Sequence, residues 1–424
     1  MRQVLSFVGI FAATVASTGV SPVPADDGID LTEVPVQVPA GALIELTEAG
    51  ESADTELMLT GDINSISDGE IDADTAQVVA QAWPAGEVLQ SQSEGTQFTL
   101  LPIALSDVNN DGTFELAADP EEIPEGYIGD DGIVDLLVTA WDGDTVAETS
   151  TSVAFDEVTD GFVDPLAVEI LGEARSSDDE DYSSDVVREL GDAPEVDLAD
   201  AQVSDQQSVD MSLLEKPWTS CTTTVLERGI IRNAVIGESL PTSSGQTSWL
   251  SFKNSQSVST GVAVSSTGNA GTFSISGTTT NSGSFSQTWS ASASKRYYRV
   301  GVEVGRYKSV CTGTVSGATS SPVTTYSTRV IGLTGGTSSI ATSLTPSWSY
   351  CDSIDAGTWT RSSSTANAYS NSLGLTLPAP ASISVTSKSQ YSSSHTLYFK
   401  QSTSKTMCGN NAYPGSAGRI RGKG

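Results

Sequence analysis

The stretch Gly271–Ser294, GTFSISGTTTNSGSFSQTWSASAS, alternates almost without a break. Phe273, Ile275, Phe285, Trp289, Ala291 and Ala293 share one phase, and Ser or Thr fills nearly every position of the other. A period of two predicts strands whose faces differ. The expected unit is a hairpin, with strands over 270–279 and 284–294 turned by Thr280–Gly283. Similar alternation runs from Trp218 to about Asn411, as in VSTGVAVSS, YRVGVEVGRYK and SISVTSKS. With little helical patterning, it predicts an all-β region with one wet face.

The first half carries strand-like segments of another composition. VPVQVPAGALIEL (34–46), VVAQAWP (78–84), TQFTLLPIAL (96–105), DGIVDLLVTAWDG (131–143) and TSVAFDEV (151–158) are broken by Gly, Pro and Asp. They predict a β-sandwich of about seven or eight strands over 34–173. Residues 174–215 hold acidic blocks, scattered Ser and Pro and few aromatics, which predicts a solvated linker. The tail 412–424 is basic and Gly-rich and is expected to be flexible. The fold class is therefore all-β: an acidic β-sandwich, a linker, and a second, elongated, disulfide-stapled Ser/Thr-rich β domain over 216–411.

Charge sharpens this division. Up to Glu215 the chain has 48 Asp and Glu against 3 Lys and Arg; from Lys216 onward it has 5 against 17. Two regions so different predict two domains. The acidic half repels anionic partners, nucleic acid included, and the basic half attracts anionic surfaces. Intramolecular docking of the acidic half on the basic half, as a mask, is a further expectation.

The N-terminus predicts the compartment. Arg2 precedes the apolar run Val4–Ala16, too short to span a bilayer, and Val23 and Ala25 stand ahead of Asp26. Residues 1–25 read as a signal peptide, and the protein is expected to be secreted and extracellular. Cys221, Cys311, Cys351 and Cys408 match no zinc or redox spacing and allow three pairings. Cys221–Cys311 with Cys351–Cys408 is favoured, because each bridge then staples one run of strands.

Candidate chemistry is sparse. Asp107, Asn109, Asp111 and Gly112 match the start of an EF-hand loop, but Ala118 stands where the bidentate acid belongs. A hairpin turn with Gly112 at positive φ is the better reading; calcium on Asp107, Asn109 and Asp111 is the lesser one, and no other cofactor is expected. The stretch SDVNNDGTF resembles the TDxxGxF-like turn of the carboxypeptidase regulatory-like, prealbumin-type sandwich, with one extra residue in the turn. That resemblance covers about 75–142 and implies an accessory module without catalytic residues. The second half resembles a group of actinobacterial secreted Ser/Thr-rich proteins in TGVAVSSTGNAGTFSISGT, SKRYYRVGVEVGRYK, AGTWTRSSS and SKTMCGNNAYP. It implies an extracellular, cysteine-stapled β fold and no particular activity.

His395 is the one histidine, and any Ser-His-Asp triad would have to use it. On an alternating strand it reads as a surface or half-buried residue. Asp352 and Asp355, the closest carboxylate pair in the basic half, read as a turn after a cysteine. No enzyme is expected. The sharpest constellation is KRYYRVGVEVGRYK, in which Lys295, Arg296, Tyr297, Tyr298, Arg299, Arg306, Tyr307 and Lys308 flank an apolar centre. Such a strand would suit an anionic surface, glycan or lipid head group. Non-catalytic extracellular binding through this basic-aromatic face is the first expectation. The alternative follows from the opening stretch, which resembles aerolysin-type stem hairpins in its Ser/Thr-rich alternation. It implies an oligomeric pore-forming or membrane-perturbing protein, with Phe273, Ile275, Phe285 and Trp289 on the membrane face. An unrecognised hydrolase is the third.

Overall fold

The computed structural model describes residues 55–66, 71–129, 132–142, 145–156, 161–165, 193–196, 198, 202–205, 214–242, 244–253, 259–268, 271–280, 286–315, 318–319, 323–361, 369–371, 383–389 and 395–423. At 202–205, 214–220, 253, 259–268, 271–280, 313–315, 318–319, 323, 369–371 and 383–389 only the backbone is described. The signal-like residues 1–25, the strand-like segment 34–46 and most of 174–192 lie outside these ranges.

The acidic half contributes β1 (Glu56–Asp62), β2 (Gln77–Ala82), the short helix α1 (Gly86–Ser91), β3 (Gln97–Asp107), β4 (Thr113–Ala118), β5 (Ile133–Trp141), β6 (Thr145–Asp156) and β7 (Gly161–Val163). Two strands follow inside the expected linker, β8 (Glu195–Val196) on β1 and β9 (Gln202–Asp205) on β6. The basic half then runs through β10 (Leu214–Ser239), β11 (Gln246–Lys253), β12 (Ser259–Gly268), β13 (Gly271–Thr280), β14 (Ser286–Thr288), β15 (Arg296–Val315), β16 (Ala318–Thr319) and β17 (Val323–Ala341). It ends with β18 (Tyr350–Ile354), β19 (Gly357–Arg361), β20 (Tyr369–Asn371), β21 (Ile383–Ser389), β22 (His395–Gln401), β23 (Lys405–Gly409) and β24 (Ile420–Lys423). The all-β class expected from the alternation is the class observed.

The change of charge does not coincide with a packing boundary. Lys216 lies within β10, and β10 pairs with β3 of the acidic half, placing Cys221 opposite Leu100 and Thr224 opposite Gln97. One ten-stranded sheet results, in the order β16-β15-β10-β3-β2-β5-β6-β7, with β17 on β15 and β9 on β6. Its core draws Val79, Trp83, Leu89, Leu100, Leu137, Trp141 and Val146 from one half and Cys221, Val225, Tyr307, Cys311 and Ile331 from the other. Burial of apolar area is indifferent to net charge, so both halves contribute to one core while their charges remain at the surface.

Polar contacts cross the same junction. The Arg228 guanidinium donates to the carbonyls of Leu89, Gln90 and Gln92 at the C-terminal end of α1, where a cation suits the helix dipole, and pairs with Glu303 at 3.0 Å. Arg329 pairs with Asp135 of β5, which also accepts from Ser152, and its guanidinium stands 5.0 Å from the Trp83 ring centroid.

Both disulfides form as favoured, Cys221–Cys311 and Cys351–Cys408. Each joins residues directly opposite one another, the first across β10 and β15, the second across β18 and β23. A second core lies under the smaller sheets, built from Ala234, Ile236, Leu250, Phe252, Trp289, Tyr298, Val300, Val302, Val304, Leu397, Phe399, Met407 and Ile420, among others.

Two local expectations change. The Asn-Asp-Gly turn joins strands of different sheets: β3 pairs with β2, and β4 pairs with β1. It is a crossover between sheets, although Gly112 has the expected positive φ of +89°. The tail is ordered. β24 pairs with β23, Ala417 and Ile420 are fully buried, and Arg419 reaches the buried Glu238. Gly and Arg in sequence suggested flexibility, but the apolar Ala417 and Ile420 anchor the segment.

Candidate functional site

The segment Lys295–Lys308 falls almost entirely in β15, which lies between β10 and β17. Alternation holds along the strand, but the buried side changes. Tyr298, Val300, Val302 and Val304 face the second core, whereas Tyr307 and Cys311, on the opposite face, enter the core shared by the halves. Tyr298 donates to or accepts from Ser239 Oγ at 2.8 Å and packs on Trp289 at 5.1 Å. Tyr307 packs edge-on against Trp83 at 5.2 Å. Gly305 is required beside it, because a Cβ there would lie 2.6 Å from the Tyr307 hydroxyl and 2.9 Å from Ile331 Cδ1. Burial pushes the phenols of both tyrosines up, out of reach of ordinary pH.

The cations of this strand are likewise occupied. Lys295 donates to Thr345 Oγ1, Arg296 to Ser292 and Ser339, Arg299 to Ser338, and Arg306 pairs with Glu227 at 3.2 Å. Tyr297 and Lys308 are half-buried. The eight residues thus form no common aromatic-basic surface. Sequence alternation specified two faces, and only the three-dimensional arrangement shows that each face is covered along a different part of the strand.

The opening stretch pairs differently from the expected hairpin. β13 pairs with β12, from Ser259↔Thr280 to Gly268↔Gly271, while β14 pairs with β11. The hairpin is therefore 259–280, and residues 281–283 of the expected turn lie outside the described residues. The chain leaves the β11 sheet at Lys253 and rejoins it at Ser286. Register places Val262, Val264, Phe273 and Ile275 on one face and Ala263, Ser265, Thr272, Ser274 and Ser276 on the other. No charged residue lies between Lys253 and Lys295. The hairpin adds β21 on its outer edge, and β13 runs beside β17 and β6. Of the four residues expected on a membrane face, Trp289 is buried in the second core. Phe285 and the side chains of Phe273 and Ile275 lie outside the described residues.

At the candidate calcium turn the side chains hold the turn itself. Asp111 Oδ1 accepts from Thr113 N and Oγ1 at 3.1 and 2.6 Å, which holds its carboxyl below the usual range. Asn109 donates to Thr113, and Asp107 accepts from Gln77 at 2.8 Å. Among the described residues no group of three or more His, Cys, Asp or Glu is placed to hold a metal ion.

His395, expected at the surface or half-buried, is 1% exposed and packs edge-on against Phe252. Each carboxylate of the basic half has its own partner. Glu227 pairs with Arg306, Glu303 with Arg228 and Glu238 with Arg419, while Asp352 accepts from Ser353 N and Asp355 from Ser404. Asp352 lies on strand β18, not in a turn.

Sequence reasoning passed over Glu148, one of many acids in the first half. It is buried on β6, bonded to Thr325 of β17, and burial raises its pKa to about 7. Between the unfolded value of 4.5 and about 7 the unfolded chain has lost this proton while the folded chain keeps it. Stability from this group therefore falls as pH rises through that window, by about 3 kcal/mol in all. Thermal melts at stepped pH should show this decline, and Glu148→Gln should remove it; an unchanged profile in the variant would exclude Glu148 as its source.

Among the described residues no helix is long and apolar enough to cross a membrane, which says nothing of strands. Comparison with family models, curated proteins and solved structures finds no match.

Proposed function

We propose that this is a secreted β-protein that perturbs membranes, and that the hairpin 259–280 is the part that enters the bilayer. The observation that carries this reading is the uncharged excursion between Lys253 and Ser286, with two strands of ten residues each. Ten residues at about 3.3 Å span roughly 33 Å, the thickness of a bilayer core for a strand of modest tilt. The register gathers Val262, Val264, Phe273 and Ile275 on one face, with Ser266 and Gly277 among them, and mostly small polar residues on the other, the alternation of a membrane strand. A lone hairpin cannot satisfy its edges in lipid, so the reading entails assembly of several copies into a closed barrel. The paired disulfides are in keeping with an oxidising, extracellular setting. Binding through β15 has less support, because Tyr298 and Tyr307 are buried.

Dye release from anionic and neutral liposomes tests this, using the full chain before and after mild proteolysis. Release is expected, and Val264→Lys or Ile275→Lys should reduce it at least about 30-fold, since a lysine at mid-bilayer costs about 2–4 kcal/mol. Ser265→Lys, on the other face, should leave most of it. Absence of release under all conditions, or equal release by all variants, rules the hairpin out.

A further inference from the structure

Large apolar side chains exposed among the described residues include Tyr350 and Tyr413, at 44% and 60%. These two come from distant parts of the sequence yet meet, with ring centroids 6.1 Å apart and planes at 80°. Neither hydroxyl has a hydrogen-bond partner among the described residues. Two exposed aromatics in contact are unusual on a surface otherwise rich in Ser and Thr, and such groups mark binding sites more often than isolated ones do.

Their setting is rigid. Tyr350 opens β18, next to the Cys351–Cys408 bridge. Tyr413 stands on the loop between β23 and β24, where its carbonyl accepts from Ser416 and Ala417 at 2.9 and 3.0 Å. Asn410 and Asn411 close this loop by accepting from the amides of Arg419 and Gly418. The segment leading to Tyr350 is held by two arginines, Arg419 at 5.6 Å from the Trp348 ring centroid and Arg421 on the Pro346 carbonyl. Arg419 is itself fixed by Glu238. A pair of rings fixed in advance loses little freedom when a ligand packs on it.

We infer that Tyr350 and Tyr413 form a glycan-binding corner that receives a pyranose ring of an extracellular polysaccharide. A pyranose offers an apolar C–H face to an aromatic ring and hydroxyls at its edge, which match a phenol ring and its hydroxyl. Near-perpendicular rings make a corner and not a flat shelf, so the site suits a single chain or chain end over a crystalline polymer surface. Lys405 and Lys423 lie at the end of the small sheet away from Tyr350, and Arg421 is taken up by the Pro346 carbonyl, so recognition rests on the two rings and not on charge. This inference is independent of the hairpin reading, and its failure would leave that reading untouched.

Affinity electrophoresis of the full chain, in native gels containing hydroxyethyl cellulose or polygalacturonate, tests it. Retardation is expected in at least one gel and should weaken at least about 10-fold in Tyr350→Ala/Tyr413→Ala. Because both rings are exposed, the variant's thermal melt should superimpose on that of the native chain. Retardation in both gels, weakened in the double variant, assigns binding to the shared pyranose ring; retardation confined to the acidic gel, and weakened in the double variant, adds the polymer's carboxylates. No retardation in either gel, or equal retardation of native chain and double variant, overturns the inference.

Discussion

Replacing Arg419 with alanine is expected to destabilise the protein by about 3–5 kcal/mol, the cost of leaving a buried carboxylate without its partner. Glu238 is 1% exposed, and both its oxygens accept from Arg419, at 2.6 and 2.8 Å. Glu238→Gln should cost less, since a neutral amide still accepts one of the two bonds. The double variant should cost less than the sum, because each change removes the burden left by the other. Urea denaturation of the four proteins gives the coupling directly. Additive losses would mean that the pair acts only as two separate packing groups. The same experiment tests the tail, since loss of Arg419 should also loosen Ala417 and Ile420 from the second core.

Removing the Cys221–Cys311 bridge by a double alanine replacement should lower stability by about 4–5 kcal/mol in the chain-entropy picture of a long closed loop. The two cysteines are 90 positions apart and sit in the core common to both halves. The Cys351–Cys408 bridge closes a separation of 57, so its removal should cost slightly less. Their effects should also differ in place. Loss of the first should expose the junction of β3 with β10, and Trp83 fluorescence should report it, since Trp83 packs on Tyr307, four positions before Cys311 on β15. Loss of the second should expose β18 and β24. Equal melting points for native and bridge-free proteins would show that the sheet is stable without these links.

Several features were legible because they depend on neighbours along the chain. Alternation in YRVGVEVGRYK predicted the strand, and its two faces are those observed in β15. Asn-Asp-Gly predicted a turn with Gly112 at positive φ, because steric rules at a single residue suffice for that. The disulfide pairing followed from the assumption that a bridge staples one run of strands. Less was legible in the candidate sites. Tyr298 and Tyr307 are indistinguishable in sequence from surface tyrosines, and their burial depends on sheets contributed by distant segments. Tyr350 and Tyr413 carried no local signal, because their contact arises only when β24 returns to β23.

By itself the sequence determined the β class and the contrast of charge between the halves, and it favoured one of three cysteine pairings, the one the structure shows. These depend on period-two patterning, on counting and on composition, all of which are local or additive. Only the tertiary structure decided that Lys216 lies inside a strand and that one core serves both halves. It also decided that the hairpin is 259–280 and that the tail is packed. Register and burial depend on which strands meet, and backbone hydrogen bonding joins any two strands whose apolar faces can be covered together, whatever the charges outside.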